Sequence, residues 1–331
     1  MDNIDKSNFR QFILDVPKSF EVGLNLAKNI KVDGNFESVT VSGMGGSALP
    51  ANLLRTYLND LFKIHINRSY LLPSEAYNNS LNFIASYSGN TEETISSLEK
   101  ARSAGLKFVG LSSGGRVEEL CRKYGAPHIK LPLPYPNFQP RMGTGYFFGA
   151  MLALLINQGL VPDTTSELKA QATKLESSMN DFEERGKSLA KKLVGKTPVI
   201  YSSPKFKPVA MVWKIKINEN AKTPAFWNFL PEMDHNELVG FTNPQGKFFA
   251  VMLRDNEDDS RNFRRYGATA KLLSEKGIDS EIIDMEGSDA FYKMFASIAI
   301  SDWTSYHLAL LYNQDPTPVN MVEDLKKILI S

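Results

Sequence analysis

Three hydroxyl side chains with the spacing of an anion-binding site, Ser86, Ser88 and Thr91, lie within the segment Ile84–Thr94. Apolar residues before them predict a strand, and a helical period of apolar residues follows them. A helix N-terminus has unpaired N–H groups and a partial positive charge, so neighbouring hydroxyls can hold an anion such as phosphate there. Because the same residue types cap ordinary helices, this segment alone is compatible with either interpretation.

The elements that would position these hydroxyls follow from local patterns. Leu81–Ala85 is predicted as the strand, and Gly89 interrupts it. Asn90 with Glu93 three residues later is typical of a capping box, which predicts the start of the helix, and Gly105 predicts its end. The hydroxyls are therefore expected between the carboxyl end of a strand and the first turn of a helix.

A second loop of this kind, Gly43–Ala48, follows a predicted strand and matches the dinucleotide-binding pattern G-x-G-x-x-A. That pattern also requires an acidic residue about 20 positions later, which binds the ribose. The corresponding segment Ile66–Arg68 has no carboxylate, although Arg68 could bind a 2′-phosphate instead. Two anion-binding loops at neighbouring strand ends fit a single phosphate group better than a dinucleotide.

Alternating strand and helix patterns predict an α/β protein with doubly wound parallel sheets. Strands are predicted at residues 38–41, 63–67, 81–85, 108–111, 128–131, 198–201, 248–253 and 278–284. One long helical segment is predicted over Leu168–Leu193, while Lys205–Leu238 fits neither a helix nor a strand cleanly. We expect two α/β domains of similar build, each a parallel sheet flanked by helices, comprising residues 1–160 and 161–331.

The composition is that of a soluble globular protein, with 331 residues, 42% hydrophobic, 23% charged and a net charge of +1. Basic residues form no long runs, so nucleic acid and anionic membrane surfaces are not expected as partners. The single cysteine, Cys121, allows no intramolecular disulfide and is expected to be a buried, inert thiol. No apolar run reaches the roughly 18 residues of a membrane helix. Because Met1–Arg10 also lacks the apolar region of a signal peptide, we expect a cytoplasmic protein.

The loops Gly-Met-Gly-Gly-Ser at residues 43–47 and Ser-Tyr-Ser-Gly-Asn-Thr-Glu-Glu-Thr at residues 86–94 together resemble the sugar isomerase (SIS) domain. Three further segments resemble one branch of that superfamily, namely Pro140–Arg141 followed by Gly145, Asn218–Asn220, and His235–Glu237 near Gly240. The branch is the bifunctional phosphoglucose/phosphomannose isomerase family of archaea and some bacteria. The resemblance extends from about Val39 to Leu329 and departs at Pro50–Asn52, where relatives often have glycines and an aspartate.

The resemblance implies two tandem SIS-type (flavodoxin-like) domains and an aldose–ketose isomerase that uses no metal or other cofactor. Its substrates would be fructose 6-phosphate, glucose 6-phosphate and mannose 6-phosphate, interconverted through a cis-enediol(ate). The residues implied to bind the phosphate are Gly46, Ser47, Ser86, Ser88 and Thr91. Glu219 would transfer a proton between C1 and C2, and Arg141 would stabilise the developing negative charge. His235 would open the sugar ring, reaching the active site of the partner subunit in a homodimer.

The predicted C-terminal helix, Val319–Ile330, bears on a ring-opening lysine that the resemblance also implies. The apolar stripe of this helix comprises Val322, Leu325 and Leu329. Lys326 lies beside the stripe on the side expected to be buried and is the better match, whereas Lys327 falls on the polar face. A lysine that snorkels past an apolar stripe would have the same position without a catalytic role.

Each of these assignments has a structural alternative. Glu219 is otherwise a solvated glutamate, Arg141 an arginine that faces water at a helix start, and His235 a structural histidine. Asp234, His235 and Glu237 could suggest a metal site, but the segment has one histidine and no second ligand cluster at the usual spacing.

Two other functions stay open from the sequence. Gly43–Ala48 with Arg68 would suit an NADP-dependent oxidoreductase. SIS folds also serve as non-catalytic sugar-phosphate-binding modules, which usually accompany a DNA-binding segment, and no such segment is evident in this sequence.

Overall fold

The computed structural model describes residues 4–59 and 61–330, whose internal contacts divide the chain into two compact units. The first unit is residues 15–176, and the second unit is residues 177–331 together with residues 1–14, as far as these are described. Each unit contains a parallel sheet, which confirms the predicted α/β fold class. Within the described residues, no helix is both long and apolar enough to cross a membrane.

The sheet of the first unit has its described strands in the order β2-β1-β3-β4-β5, all parallel. These strands are β1 (Ser38–Ser42), β2 (Lys63–Asn67), β3 (Ser80–Ala85), β4 (Phe108–Ser112) and β5 (His128–Lys130). The inner strands β1 and β3 are buried along their whole length, as expected of a parallel sheet that is covered on both faces. The strand order reverses between β1 and β3, and open α/β sheets bind ligands at the carboxyl ends of such a strand pair.

The helices that precede, connect and follow these strands are mostly those that the sequence predicts. They are α1 (Phe9–Ala27), α2 (Gly45–Tyr57), α3 (Glu92–Ser103), α4 (Gly115–Tyr124), α5 (Thr144–Asn157) and α6 (Thr165–Ser177). Cys121 lies fully buried in α4, and burial raises the pKa of its thiol to about 11. The burial expected of this cysteine is thus confirmed, and a raised pKa disfavours the reactive thiolate form.

Helix α6 belongs to the first unit, although it follows the boundary near residue 160 that the sequence suggests. One of its contacts there is an ion pair between Lys169 Nζ and Glu21 Oε1 at 2.8 Å. The start of α1 belongs to the second unit, where Arg10 Nη2 lies 2.6 Å from Glu183 Oε2. The sequence pattern shows where a helix ends but not which helix it packs against, so it could not predict this division.

The sheet of the second unit has its described strands in the order β7-β6-β8-β9, again all parallel. These strands are β6 (Thr197–Ser202), β7 (Phe226–Phe229), β8 (Phe248–Asp255) and β9 (Asp279–Met285). Strand β7 lies in the segment that the sequence left unassigned. The strand order reverses between β6 and β8, as it does between β1 and β3 in the first unit.

The second unit contains a helix that is buried along most of its length. Its helices are α7 (Met179–Leu193), α8 (Lys207–Asn220), α9 (Glu237–Gly240), α10 (Ser260–Glu275), α11 (Ala290–Leu311) and α12 (Asn320–Ile330). Helix α11 is the buried one, and it packs against α7 and α8.

Two helical segments differ from the sequence-based expectation. The single helix predicted over Leu168–Leu193 is wrong, because α6 and α7 are separate helices and Ser178 lies between them. In α8, Trp213 and Ile217 are both buried, and their spacing of four residues places them on one helical face. The alternation of apolar residues around them resembles a strand only because Ile215 is also apolar, and Ile215 is half-buried.

Candidate active site

Two loops at the carboxyl edge of the first sheet, Gly43–Ser47 after β1 and Ser86–Thr91 after β3, form what we call the anion cradle. Tyr87 N donates a hydrogen bond to Ser47 Oγ at 2.9 Å, which joins the two loops directly. A hydroxyl that accepts such a bond keeps its own proton to donate. Ser47 can therefore hold the second loop in place and donate to a ligand at the same time.

The predicted hydroxyls of the second loop lie close together. Ser86 Oγ is 2.9 Å from Thr91 Oγ1 and accepts a hydrogen bond from Gly89 N at 3.1 Å. Ser88 Oγ accepts a hydrogen bond from Asn90 N at 3.2 Å. Ser86 is buried, Thr91 is half-buried and Ser88 is exposed, so the hydroxyls extend from the interior of the loop to its surface.

Helix α2 begins at Gly45, inside the first loop, and α3 begins at Glu92, directly after the second loop, so their first N–H groups add to the anion cradle. In the described structure, neither N-cap side chain, Met44 for α2 or Thr91 for α3, accepts a hydrogen bond from its own helix. The N-terminal N–H groups can therefore serve an anion. The predicted capping box of Asn90 and Glu93 is wrong, because Asn90 Oδ1 instead accepts a hydrogen bond from Arg116 N at 3.0 Å.

Arg141 lies against the first loop of the anion cradle. It belongs to the 3₁₀ turn Pro140–Met142 and is only 1% exposed, so it is not an arginine that faces water. A Cβ atom on Gly46 would lie 2.6 Å from Arg141 N, which explains why glycine is required at residue 46. The turn and the cradle are thus in direct contact, and Arg141 brings a permanent positive charge to that region.

A third loop, which the sequence analysis missed, contacts and supports the second loop of the anion cradle. Ser113 Oγ in the loop after β4 donates a hydrogen bond to Tyr87 O at 2.7 Å. Gly89 has φ +73°, and a Cβ atom there would lie 1.8 Å from Gly114 O. The run of serines and glycines at residues 112–115, directly after a predicted strand, was the available signal for this loop.

In the second unit, Glu219 lies in the last turn of α8 and is half-buried. Lys222 Nζ donates hydrogen bonds to Glu219 O at 2.9 Å and to Asn220 O at 3.1 Å. An ammonium group at these carbonyls satisfies helix acceptors that otherwise have no intrahelical partner. The carboxylate is therefore presented from a capped helix end rather than from an irregular loop.

His235 ends the 3₁₀ turn Glu232–His235 and is exposed. The preceding carboxylate, Asp234, accepts hydrogen bonds from Arg265 Nη1 at 2.8 Å and from Thr269 Oγ1 at 3.1 Å. Both donors are on α10, so these bonds tie the 3₁₀ turn to that helix.

Glu237, which follows shortly after His235, is also engaged by hydrogen bonds. It accepts from Tyr201 OH and from Asn228 Nδ2, each at 2.6 Å. Burial, together with the Glu237 carboxylate, raises the pKa of Tyr201 far above its ordinary value, so its hydroxyl remains a donor. The acidic side chains flanking His235 thus have separate partners, and the described residues contain no group of three side chains that could hold a metal ion.

The predicted buried side of the C-terminal helix is wrong. Val322, Leu325 and Leu329 are 49%, 55% and 71% exposed. Lys326 Nζ contacts Glu323 Oε1 at 2.7 Å, and Lys327 Nζ contacts Asp324 Oδ1 at 3.1 Å, in ion pairs within α12. An amphipathic pattern identifies the apolar face of a helix but not whether anything covers that face.

The structure therefore brings together all the predicted residues of the first unit, namely Gly46, Ser47, Ser86, Ser88, Thr91 and Arg141. Glu219, His235 and Lys326 lie in the second unit, on α8, on a 3₁₀ turn and on α12 respectively. What the first unit can do chemically is clear from these contacts. It offers hydroxyl protons and backbone N–H groups to one anion, and the backbone of Arg141 lies against the first loop of the cradle.

Comparison with known sequences identifies relatives of this chain that are named as enzymes of sugar phosphates. Residues 182–329 match the family model described as bacterial phospho-glucose isomerase C-terminal SIS domain. A bifunctional phosphoglucose/phosphomannose isomerase from Caldicellulosiruptor bescii is 36% identical to this chain, covering 95% of the chain and 95% of that relative. A D-glucosamine-6-phosphate 4-epimerase from Sulfolobus acidocaldarius is 31% identical, covering 72% of this chain and 73% of its own length.

Comparison with solved structures supports the fold. The crystal structure of a hypothetical protein from Thermus thermophilus superposes with a TM-score of 0.75 and covers 98% of this chain and 90% of its own. Its sequence is 16% identical to this chain, so the likeness concerns the fold alone.

Proposed function

The chain belongs to the bifunctional phosphoglucose/phosphomannose isomerase family, and from this membership we infer that it is an aldose–ketose isomerase. It interconverts fructose 6-phosphate with glucose 6-phosphate and mannose 6-phosphate. Within the structure, the observation that carries this function is the anion cradle, whose two loops are joined by the hydrogen bond from Tyr87 N to Ser47 Oγ. We further propose that the enzyme acts in the cytoplasm, in glycolysis or gluconeogenesis.

We assign the phosphate of the substrate to the anion cradle. Ser47, Ser86, Ser88 and Thr91 would donate hydroxyl hydrogen bonds, and the N-termini of α2 and α3 would donate backbone N–H bonds. Gly46 allows the approach of Arg141 that brings positive charge to the same region. Charge-assisted hydrogen bonds of this kind are stronger than neutral ones, so they can anchor a small substrate.

We assign the proton transfer to Glu219. Its carboxylate would take a proton from C1 of fructose 6-phosphate and return it to C2, while a hydroxyl proton passes between O1 and O2. The cis-enediol(ate) formed between these steps carries negative charge, which the guanidinium of Arg141 would stabilise. Because the enediolate is planar at C2, one base can give both epimers when the sugar rotates about C2–C3.

We assign ring opening to His235 and Lys326. His235 is exposed while the carboxylates beside it are engaged, so its imidazole can reach a group outside its own chain. On this ground, and by analogy with the family, we propose a homodimer in which His235 serves the active site of the partner subunit. Lys326 remains our choice over Lys327, and exchanging each lysine in turn for methionine would decide between them.

The proposed mechanism needs no metal ion. The carboxylates of Asp234 and Glu237, on either side of His235, accept hydrogen bonds from separate protein partners. We expect full activity after exhaustive chelation with EDTA and removal of the chelator. Loss of activity that zinc restores would contradict the metal-free mechanism.

A coupled assay tests the proposed function directly. Fructose 6-phosphate is supplied, and glucose 6-phosphate and mannose 6-phosphate are measured separately with enzymes specific for each. We expect both products. Formation of neither product by folded protein would exclude the isomerase, whereas formation of one alone would exclude the dual specificity.

A second candidate activity is raised, but not favoured, by the 31% identity to a D-glucosamine-6-phosphate 4-epimerase. Epimerisation at C4 changes a carbon two bonds away from the C1–C2 pair at which Glu219 is proposed to act. We therefore expect no C4 epimer when glucosamine 6-phosphate is incubated with the protein and the products are followed by NMR. Detection of that epimer would make the epimerase the better assignment.

A further inference from the structure

The helix turn that carries Glu219 is joined to α11 by a chain of buried polar groups. Asn220 Nδ2 donates a hydrogen bond to Ser305 Oγ at 2.9 Å, and Ser305 Oγ donates to Asp302 O at 3.0 Å. One turn earlier on α8, Lys216 Nζ lies 2.7 Å from Asp302 Oδ1. The last two turns of α8 thus each make a buried polar contact with α11.

These polar groups are buried almost completely. Asn220 and Ser305 are 0% exposed, Asp302 is 1% exposed and Lys216 is 3% exposed. A buried ion pair is often no more stabilising than apolar residues of similar volume, so stability alone does not explain such groups. Hydrogen bonds have fixed directions, however, and a satisfied buried network rigidifies the elements that it joins.

The residues around Glu219 restrain the same turn from the solvent side. Asn218 Oδ1 accepts a hydrogen bond from Ala225 N at 2.8 Å, which fixes the chain after the helix. The carbonyl of Glu219 accepts from Lys222 Nζ at 2.9 Å. Helix ends normally fray, because their last carbonyls lack intrahelical partners. Here the final turn is restrained on both of its sides.

We propose that Asn220 and Ser305 are positioning residues for Glu219, a role that rests on the proposed function of Glu219 as the base. Their hydrogen bond fixes the rotation of the last turn of α8 and thereby the direction of the Glu219 side chain. Proton transfer at carbon requires the base within hydrogen-bonding reach of the reacting atom, and small displacements lower the rate strongly. The buried pair therefore acts on the chemical step rather than on substrate affinity.

Helix α11 offers a matched control for this proposal. Ser297 Oγ accepts a hydrogen bond from Trp213 Nε1 of α8 at 3.0 Å, and both side chains are buried. Ser297→Ala and Ser305→Ala each remove one buried serine hydroxyl that joins α11 to α8. Only Ser305 faces the turn that carries Glu219, since Ser297 lies about two helical turns away.

The test compares kcat, KM and thermal midpoint for the two alanine variants. We expect Ser305→Ala to lower kcat about 10- to 100-fold with KM unchanged, because only the orientation of the base is lost. Ser297→Ala should keep kcat within about twofold of the unchanged protein while losing a similar amount of thermal stability. Equal kcat values for the two variants would overturn the proposal.

A double-mutant cycle shows whether Asn220 and Ser305 act as a pair. Asn220→Ala and the double variant Asn220→Ala/Ser305→Ala should lower kcat by about the same factor, because either change removes the same bond. If the double variant instead lowered kcat by the product of the two single-variant factors, the residues would act separately, and the proposal would be overturned. If either variant fails to fold, Ser305→Thr provides the test, because it keeps a hydroxyl and should retain kcat. A kcat for Ser305→Thr as low as that expected for Ser305→Ala would count against the proposal.

Glu219→Gln separates failure of this proposal from failure of the proposed function. If Glu219→Gln abolishes turnover and Ser305→Ala behaves like Ser297→Ala, the positioning role alone is excluded. If Glu219→Gln retains full turnover, Glu219 is not the base, and the positioning role falls with it.

Discussion

Both sheets reverse their strand order at the same point, between β1 and β3 in the first unit and between β6 and β8 in the second, but their carboxyl edges carry different chemistry. The first edge bears the anion cradle, with its hydroxyls and helix N-termini. At the second edge, β8 ends at Asp255, whose carboxylate lies 2.6 Å from the ammonium of Lys293. Lys293 is 1% exposed and also contacts Glu257 at 2.7 Å.

At the end of β8, the buried ammonium of Lys293 is therefore paired with the protein's own carboxylates. Burial opposes the Lys293 charge, but hydrogen bonds with Asp255 and Glu257 outweigh it and keep the pKa of Lys293 above its ordinary value. The loop after β8 is rich in carboxylates, namely Asp255, Glu257, Asp258 and Asp259. A phosphate would be repelled there. Sheet topology thus determines where a ligand can bind, whereas the loop residues determine which ligand binds there.

Removing the buried cation of the second edge should give the largest effect. Lys293→Met leaves the Asp255 carboxylate buried without its ammonium, which we expect to lower the free energy of unfolding by about 3–5 kcal/mol. KM for fructose 6-phosphate should not change, because the anion cradle is on the other sheet. Urea unfolding followed by circular dichroism, together with steady-state kinetics, measures both quantities.

Two variants control that prediction. Lys192→Met removes an ion pair with Glu281 that is half-exposed, and it should lower the free energy of unfolding by less than about 1 kcal/mol. Adding Asp255→Asn to Lys293→Met should restore much of the lost stability. A rise in KM for Lys293→Met without a rise for Lys192→Met would show that the second edge takes part in substrate binding. That result would contradict the difference described between the two edges.

Placing a carboxylate in the first edge should make it resemble the second. Ser88 is exposed, so Ser88→Asp can be accommodated without burying a charge. Repulsion between this carboxylate and the phosphate dianion should raise KM by at least about 100-fold. Ser88→Asn has nearly the same size without the charge and should raise KM much less. If Ser88→Asp and Ser88→Asn had equal KM values, the phosphate would not be bound at this loop.

Removing a single hydroxyl from the anion cradle should have a smaller effect. Thr91→Ala deletes the hydroxyl that lies 2.9 Å from Ser86 Oγ, and it should weaken substrate binding by about 1–3 kcal/mol, seen as a higher KM with a smaller loss in kcat. Thr173→Ala on α6, where the hydroxyl donates only to Lys169 O, is the matched control and should leave both constants unchanged. Unchanged KM in Thr91→Ala would mean that the loop serves only as a helix cap.

The first edge could be predicted from sequence because its signals are local. Strand, glycine turn, hydroxyls and helix follow one another within residues 38–48 and 81–95, and the structure preserves that order. The capping box failed for a non-local reason, since the side chain of Asn90 is used by α4 through Arg116 N. A short pattern cannot reveal a competing donor from another helix.

The second unit was less predictable because its important contacts join residues far apart in sequence. The pairs Lys216–Asp302 and Lys293–Asp255 combine ordinary charged residues, and nothing in the spacing of either pair distinguishes it from a solvated pair. The burial predicted for the apolar stripe of α12 was wrong for a related reason. Periodicity gives the direction of an apolar face but does not show whether another element packs against it. Glu219 could be selected only through its family motif, Asn218–Asn220.

Glu219 is proposed to move the proton between C1 and C2. Exchange of solvent deuterium into C1 of fructose 6-phosphate, followed by NMR, reports this step without net turnover. We expect Glu219→Gln to lose exchange and to lower kcat by at least about 10²–10⁴-fold, the range for a general base, while fructose 6-phosphate still binds. Glu275→Gln, at the exposed end of α10, should exchange normally. Exchange by Glu219→Gln at the rate of the unchanged protein would contradict the claim and assign the base to another residue.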